Sequence, residues 1–401
     1  MQKIITFLGL GSGLTKYQHS GQVYEGSVFP QVLRQFQPFD EMLVCLTAGA
    51  REKTWHLLEN LKDDRIIPID IPDGRTEAEI WTTFQAVIQH IDRDDRVIFD
   101  ITHGLRSLPF QVFLFAAYLR AAKNAEIEAV YYGAYDLKDA DNVAPVIDLS
   151  SFVGMLDWLT ATDRFTATGD GKDLAQLIRG EMASEIEMNE VPDEKRMGEH
   201  LKKAANAIDN ISLALALTRP EEVTKAAKKL KNILTETTRS LNVKVKPFSL
   251  VKEQVQLAYG QFAITDYKDA KAILMKQFAM IRWYLDRQQI GQVITLSREW
   301  IISVYCWKFK TTDRTEITQA LNNLRVSDID DIREKEWSDY DEEIRSELNA
   351  SAIKRIWKET TKIRNQVAHC GMSGNDQADD LRERTIALYP DLEKEIAVLL
   401  H

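Results

Sequence analysis

Cysteine is nearly absent from the chain. The three present among 401 residues, Cys45, Cys306 and Cys370, are scattered and odd in number. That excludes a disulfide framework and argues against a Cys-based zinc site; it fits a reducing cytoplasm. No run of about 18 apolar residues occurs, which excludes a membrane-spanning helix. The opening MQKIITFLGLGSG runs into a glycine turn with no small-residue cleavage site after it, so no signal peptide is expected. An excess of basic charge is missing too: 51 Lys and Arg stand against 61 Asp and Glu, a formal net charge of −10. A non-specific coat on duplex DNA needs a basic face and is excluded by that average. What remains is 44% hydrophobic, 9% aromatic and 28% charged, the balance of a soluble globular protein with too much to bury to be disordered. The length suggests two or three domains.

The charge is divided unevenly. Residues 1–160 carry a net −8 and residues 161–401 only −2, while 201–246 hold 10 basic and 4 acidic side chains. Residues 326–349 lean acidic, with Asp328, Asp330, Asp331, Asp339, Asp341, Glu342 and Glu343. A solvated helix face accounts for either block as well as a functional one does.

Hydrophobic patterning separates the same two halves. In the first 160 residues, short apolar runs predict strands at Ile4–Leu8, Met42–Leu46, Ile66–Ile69, Val97–Asp100 and Ile127–Tyr132. Helices are expected near 26–37, 50–61, 76–90 and 104–121, and Thr15–Gly26 reads as a polar loop. Such β-α alternation means an α/β fold, a parallel-rich sheet with helices on both faces, whose ligands sit over the carboxyl ends of the strands. From about 150 onward glycine is scarce and the pattern becomes all-α. Helices are predicted at 172–187, 195–217, 220–240, 249–263, 267–285, 290–308, 315–324, 341–369 and 376–399. Lys244–Pro247 and the acidic 326–349 segment are the loop candidates.

Four strand ends carry small or polar residues. Strand one runs into Gly9-Leu10-Gly11-Ser12-Gly13, either a plain tight turn or a loop whose N–H groups face an anion. Strand four ends in Asp100-Ile-Thr-His-Gly-Leu-Arg-Ser-Leu-Pro109. Here Thr102 and Ser107 offer hydroxyls, His103 and Arg106 offer donors, and Gly104 permits a sharp exit into a helix. Asp100 reads as an internal orienting residue and Thr102 equally as a helix N-cap. A cap explains little of His103 or Arg106, for which ligand contact is expected. Thr47 after strand two is a further contact candidate. Tyr132-Gly133 ends strand five, where Tyr132 either stacks on a base or packs in the core. No metal cluster and no nucleophile–base pair stands out.

The run at Asp100 resembles the D-x-T-H-G motif of CRISPR-associated proteins that carry a CARF domain, a Rossmann-like sensor. Ile5-Thr-Phe-Leu-Gly-Leu-Gly11, Ile71-Pro-Asp-Gly74, Glu79-Ile-Trp81, Tyr131-Tyr-Gly133, Ala144-Pro-Val-Ile-Asp-Leu149 and Leu156-Asp-Trp158 match the same family, covering the first 160 residues. That family couples the sensor to a C-terminal HEPN domain, a helical ribonuclease marked by R-x(4–6)-H, here Arg364-Asn-Gln-Val-Ala-His369. The surrounding helix has Ser351 as expected N-cap, an apolar stripe of Ile353, Ile356, Ile363 and Val367, and Gly371 as its stop. The resemblance implies a CARF domain at 1–160, a helical linker or dimerisation region at 161–285 and a HEPN domain at 286–401.

RNA carries its own nucleophile, the 2′-hydroxyl, so a proton-handling group and a phosphate-binding cation suffice, and no metal or cofactor is expected. His369 at a helix C-terminus suits proton transfer or charge stabilisation, Arg364 offers a cationic fork, and Asn365 shares the helical face of His369. Arg364 and His369 lie about 140° apart around one helix, which favours two copies of the motif meeting in a homodimer, as the resemblance also implies. Glu299 is read either as a brace for Arg364 or as a surface carboxylate, and Trp300, Trp307 and Trp357 as core. The resemblance implies a cytoplasmic endoribonuclease of type III CRISPR defence. A cyclic oligoadenylate, cyclic tetra-adenylate first and the hexa-adenylate second, would activate it to cut single-stranded RNA. The alternatives are a sensor or ligand sponge with an inactive helical domain, and a sensor pocket that itself cleaves the ring.

Overall fold

The computed structural model describes residues 1–104, 107–182, 192–236, 246–326, 337–372 and 377–400. The chain divides into two compact units, Met1–Asp157 and Trp158–His401.

In the first unit, five parallel strands form the middle of a sheet: β1 (Gln2–Leu8), β4 (Glu41–Leu46), β5 (Ile66–Asp70), β6 (Arg96–Asp100) and β7 (Glu126–Gly133). Their spatial order is β5-β4-β1-β6-β7. The chain winds outward from β1 in one direction and returns to β6 on the other side. The doubly wound fold therefore has its switch point between the carboxyl ends of β1 and β6. Strands buried on both faces explain the continuous apolar runs. Ile4, Val44 and Ile98 pack toward α1 (Phe29–Phe36). Ile5, Leu43, Val97 and Phe99 pack toward α4 (Glu77–Ile88) and α5 (Leu108–Lys123). Two short helices, α2 (Ala48–Lys53) and α3 (His56–Glu59), replace the single helix expected over 50–61.

Three strands escape the apolar pattern. Thr15–Gly26 is a hairpin rather than a polar loop, β2 (Thr15–His19) against β3 (Gln22–Gly26). It reads as polar because it lies at the sheet edge, where β2 buries only alternate residues, Thr15 and Tyr17. Its turn, Ser20-Gly21, has both residues at positive φ, +48° and +78°, the two-residue geometry that matches strand twist. β8 (Val143–Asp148) pairs antiparallel with β7 and parallel with β2, completing an eight-stranded, parallel-rich sheet.

The second unit is all-α. The chain continues through α6 (Ser150–Thr168), α7 (Lys172–Gly180), α8 (Pro192–Ala216), α9 (Pro220–Glu236), α10 (Lys246–Gly260), α11 (Ala270–Asp286), α12 (Ile290–Lys308) and α13 (Arg314–Asn323). It ends with α14 (Asp341–Arg345), α15 (Ala350–Ala368) and α16 (Ala378–Asp391), after which the helix expected over 376–399 continues as a π-helical turn at Leu392–Ile396 and a 3-10 turn at Ala397–Leu400. One apolar core runs from Trp158 to Leu400, with Trp300 and Trp357 fully buried and Trp307 packed against it, as read from their spacing. The helix expected over 341–369 is broken at 346–349. Asn349, not Ser351, precedes α15, and its amide Nδ2 donates to the Glu395 carbonyl and carboxylate at 3.1 Å instead of capping. Ser351 lies inside the first turn. Gly371 ends the segment with φ +74°, as expected of the stop. The ends of the helices predicted at 172–187 and 220–240, the Lys244-Val245 part of one loop candidate, and 327–336 of the acidic segment lie outside the described residues. No described helix is long and apolar enough to cross a membrane.

Candidate functional site

At the switch point of the sheet unit lies a cavity of about 660 Å³. Its walls are Phe7–Leu10 at the end of β1, Thr47–Gly49 after β4, Ile71–Arg75 after β5, and Gly104 with Leu108 and Gln111 after β6. Four of the expected contact residues, Gly9, Leu10, Thr47 and Gly104, are therefore brought together. Gly11 and Ser12 stand exposed on the same loop, outside the lining, and the space around Gly11 is open. Gly104 has φ +124°, a backbone conformation that favours glycine, and a Cβ there would lie 2.8 Å from Leu108 Cδ2, so that side chain would have to shift. Ile71–Arg75 carried no role in the sequence reading. The Pro72-Asp73-Gly74 turn at a strand end is the signal that identifies them. Arg75 is tethered to Asp73 at 2.8 Å on the rim.

The other polar groups of the D-x-T-H-G run hold the loop together. Asp100 is wholly buried, accepts from Thr6 Oγ1 at 2.6 Å and from the Thr102 N–H at 2.8 Å, and so acts as the orienting residue expected. Burial pushes its carboxyl above the ordinary range, the neighbouring His103 and the two hydrogen bonds opposing. The Thr102 hydroxyl accepts from the Gly133 N–H at 2.8 Å, pinning the loop to β7. His103 Nε2 accepts from the Phe29 N–H at 3.1 Å. An accepting ring nitrogen requires a neutral imidazole with its proton on Nδ1. Burial holds the group below its usual value, against the pull of Asp100, in agreement with a neutral ring. His103 thus spends one nitrogen on the fold, a role the sequence reading did not give it.

Ser107 is exposed at the start of α5, does not cap it, and accepts from Gln111 Nε2 at 3.3 Å. Thr47 caps α2 by accepting from the Ala50 N–H at 3.3 Å. Tyr132 is half-buried in β7 opposite Ile147. Gly133 answers to packing: a Cβ would come within 2.6 Å of the Phe29 ring and 2.8 Å of Tyr17. Arg106 lies outside the described residues.

In the helical unit, Arg364, Asn365 and His369 are all exposed at the C-terminal end of α15. The His369 N–H closes the last turn on the Asn365 carbonyl at 2.9 Å. Arg364 Nη1 donates to Asn365 Oδ1 at 3.4 Å, so Asn365 faces the guanidinium rather than the imidazole. Val367 lies 3.5 Å from the Cβ position of Gly291, which seats this end of α15 on the first turn of α12. Glu299, further along α12, does not brace Arg364. Its carboxylate takes Arg298 at 2.6 Å and Arg314 at 2.8 Å. Arg314, at the start of α13, is the partner that the sequence reading missed, because no spacing links residues 15 apart on different helices. Arg298 stands 5.3 Å from the Trp357 ring centroid. Among the described residues, no group of three or more His, Cys, Asp or Glu is placed to hold a metal ion.

A family model described as the second domain of CRISPR-associated protein MJ1674 matches residues 154–265. The chain is 23% identical over 340 residues to CRISPR-associated protein MJ1674 of Methanocaldococcus jannaschii, an alignment covering 82% of this chain and 47% of that protein. The chain thus spans about half the length of the curated relative it matches. Among solved structures, Enterococcus italicus Csm6 bound to cyclic hexa-2′-fluoro-hexa-dAMP aligns with 100% of this chain and 94% of its own, at 11% identity and a TM-score of 0.43. That score is too low to bear on fold or function. The chain is similar to CRISPR-associated proteins, as the D-x-T-H-G resemblance implied.

Proposed function

We propose that the chain is an ancillary endoribonuclease of type III CRISPR defence, activated by a cyclic oligoadenylate and cutting single-stranded RNA without a metal ion. The observation that carries this reading is the exposed Arg364–Asn365–His369 set on one helix end, in a chain similar to CRISPR-associated proteins. In this reading residues 1–160 are the CARF sensor and 286–401 the HEPN nuclease. The cavity between Gly9 and Gly104 would take one edge of the activator, its phosphates meeting the free amides of Gly9–Ser12. Arg364 would hold the scissile phosphate and offset its growing charge, and His369 would move the proton between 2′-hydroxyl and leaving oxygen. Because the two side chains leave the helix about 140° apart, a homodimer that offers each phosphate the Arg364 of one copy and the His369 of the other completes the site. Cyclic tetra-adenylate is the first choice of activator.

The test follows RNA and ring together. Purified protein is incubated with single-stranded RNA, with and without cyclic tetra- or hexa-adenylate, beside His369→Ala. RNA cleavage that needs the ring and vanishes in His369→Ala is the expected outcome. Ring binding with RNA left whole points to the sensor or sponge, and loss of the ring itself to a sensor pocket that degrades it.

A further inference from the structure

Helix α12 runs antiparallel to α15. The Cβ position of Gly291, in the first turn of α12, stands 3.5 Å from Val367 near the end of α15. Further along, Arg298 of α12 stands 5.3 Å from the ring of Trp357, earlier in α15. At about 100° per residue, the Gln292 side chain leaves α12 roughly 100° round from the Gly291 contact. By the same spacing Arg364 leaves α15 roughly 60° round from the Val367 contact. In an antiparallel pair of right-handed helices these two rotations turn to the same side. Along the pair the two residues differ in level by only about 3 Å, and packed helices lie about 8–10 Å apart. Gln292 and Arg364 are therefore neighbours, close enough to meet adjacent nucleotides of one strand.

Beside Gln292 opens a cavity of about 470 Å³, bounded by Thr168–Asp170 after α6, by Asp209 to Ala216 on α8, and by Gln289. Part of its wall is spent on the fold. Gln289 Nε2 donates to the Thr168 carbonyl at 2.8 Å, the Gly171 N–H donates to Ser212 Oγ at 2.7 Å, and Asp209 Oδ2 holds Arg179 at 2.5 Å. Among the described residues, the Gln292 amide forms no hydrogen bond and Asp209 Oδ1 takes no donor. Leu213, 60% exposed, gives the wall an apolar surface for the face of a ring.

We infer that this cavity receives the RNA base next to the phosphate held by Arg364, and that Gln292 selects a base carrying an exocyclic amino group. A glutamine amide sets a donor beside an acceptor, the pattern that matches one edge of a base. Asp209 adds an acceptor and no donor, which tilts the set toward bases that can donate. Cytosine offers its amino group beside the N3 acceptor. Uracil turns a carbonyl oxygen toward the same place, where it would meet an acceptor and leave it unpaired. The inference rests on the ribonuclease reading for its substrate, and binding tests it apart from cleavage.

Oligocytidylate and oligouridylate of equal length are titrated into the full-length His369→Ala chain. Neither strand carries adenine, which keeps adenylate recognition by the sensor cavity out of the measurement. The expected result is about tenfold tighter binding of the cytidylate, the scale of one or two hydrogen bonds gained rather than opposed. In the same chain carrying Gln292→Leu that ratio should fall toward one, with helical content and unfolding midpoint unchanged. Should the leucine variant not fold, Gln292→Ala takes its place with the same expectation. Equal binding of the two strands, or a preference that survives removal of the amide, overturns the assignment. A preference lost with Gln292 in a chain whose wild type cuts no RNA keeps the base site and fails the ribonuclease reading. Ring-dependent cleavage with equal binding of both strands does the reverse.

Discussion

The two units treat their polar residues in opposite ways. At the end of β6, Asp100, Thr102 and His103 are spent on one another, on Thr6, on Phe29 and on Gly133. What faces the cavity is backbone, apolar surface and a few polar side chains from other loops, Thr47, Asp73, Arg75 and Gln111 among them. At the end of α15, Arg364 and His369 are exposed and touch little besides Asn365. A loop whose polar groups are already bonded within the fold suits recognition, because less ordering is left to be done on binding. An exposed pair on one helix suits a site finished by something else, whether substrate or a second copy. The same chain thus carries one finished pocket and one unfinished one.

The largest expected effect breaks the bare end. His369→Ala or Arg364→Ala should lower RNA cleavage by about 10²–10⁴-fold, the range for a proton-transfer group, with cyclic tetra-adenylate binding and unfolding midpoint unchanged. A variant that cuts at the wild-type rate removes the residue from the mechanism. In the finished pocket the matching lesion should act on stability instead. Asp100→Ala leaves the Thr6 hydroxyl and Thr102 N–H buried without their acceptor, at about 1–3 kcal/mol each. Urea unfolding should show a lower midpoint at constant slope.

A smaller effect is a pH dependence that belongs to the sheet unit. His103 is held neutral in the fold, so as pH falls below about 6.5 the unfolded chain takes up a proton that the folded one resists. Stability is therefore lost on acidification. The buried Asp100 acts in the opposite sense, since its raised value lets the folded state keep a proton that the unfolded chain has released. Comparing wild type with His103→Gln isolates the histidine: the wild type's advantage at pH 7.5 should narrow at pH 5.5. An advantage that widens there would contradict the neutral assignment. Smallest of all, Glu299→Ala and Arg314→Ala should each change stability by less than about 1 kcal/mol, as exposed pairs do. The double variant should add nothing further, and cleavage should stay near wild type. A large loss of cleavage in Glu299→Ala alone would restore Glu299 to the site.

How much of this was legible depended on whether a residue's partners lie nearby in sequence. The parallel strands could be read because burial on both faces writes continuous apolar runs, whereas their order in the sheet comes only from the structure. The β2–β3 hairpin could not, because β2 buries only one residue in two and the edge strand β3 fewer still, so neither has such a run, and only Ser20-Gly21 marks the turn. Asp100 was legible as an orienting residue from its place before Thr102. His103 was read as a ligand donor because its acceptor role depends on Phe29, 74 residues away. The Glu299–Arg314 pair was hidden for the same reason. Gly133 looked like a pocket lip, whereas the rings that forbid a side chain there come from β2 and α1.

The central claim is that occupancy of the finished pocket switches on the bare site. The most direct measurement is RNA cleavage rate against cyclic tetra-adenylate concentration, with ligand binding to the same protein measured in parallel. Cleavage should be negligible without the ring, with a rate that rises along the binding curve. Cleavage at full rate without any cyclic oligoadenylate, or a saturated pocket with no cleavage, would contradict it.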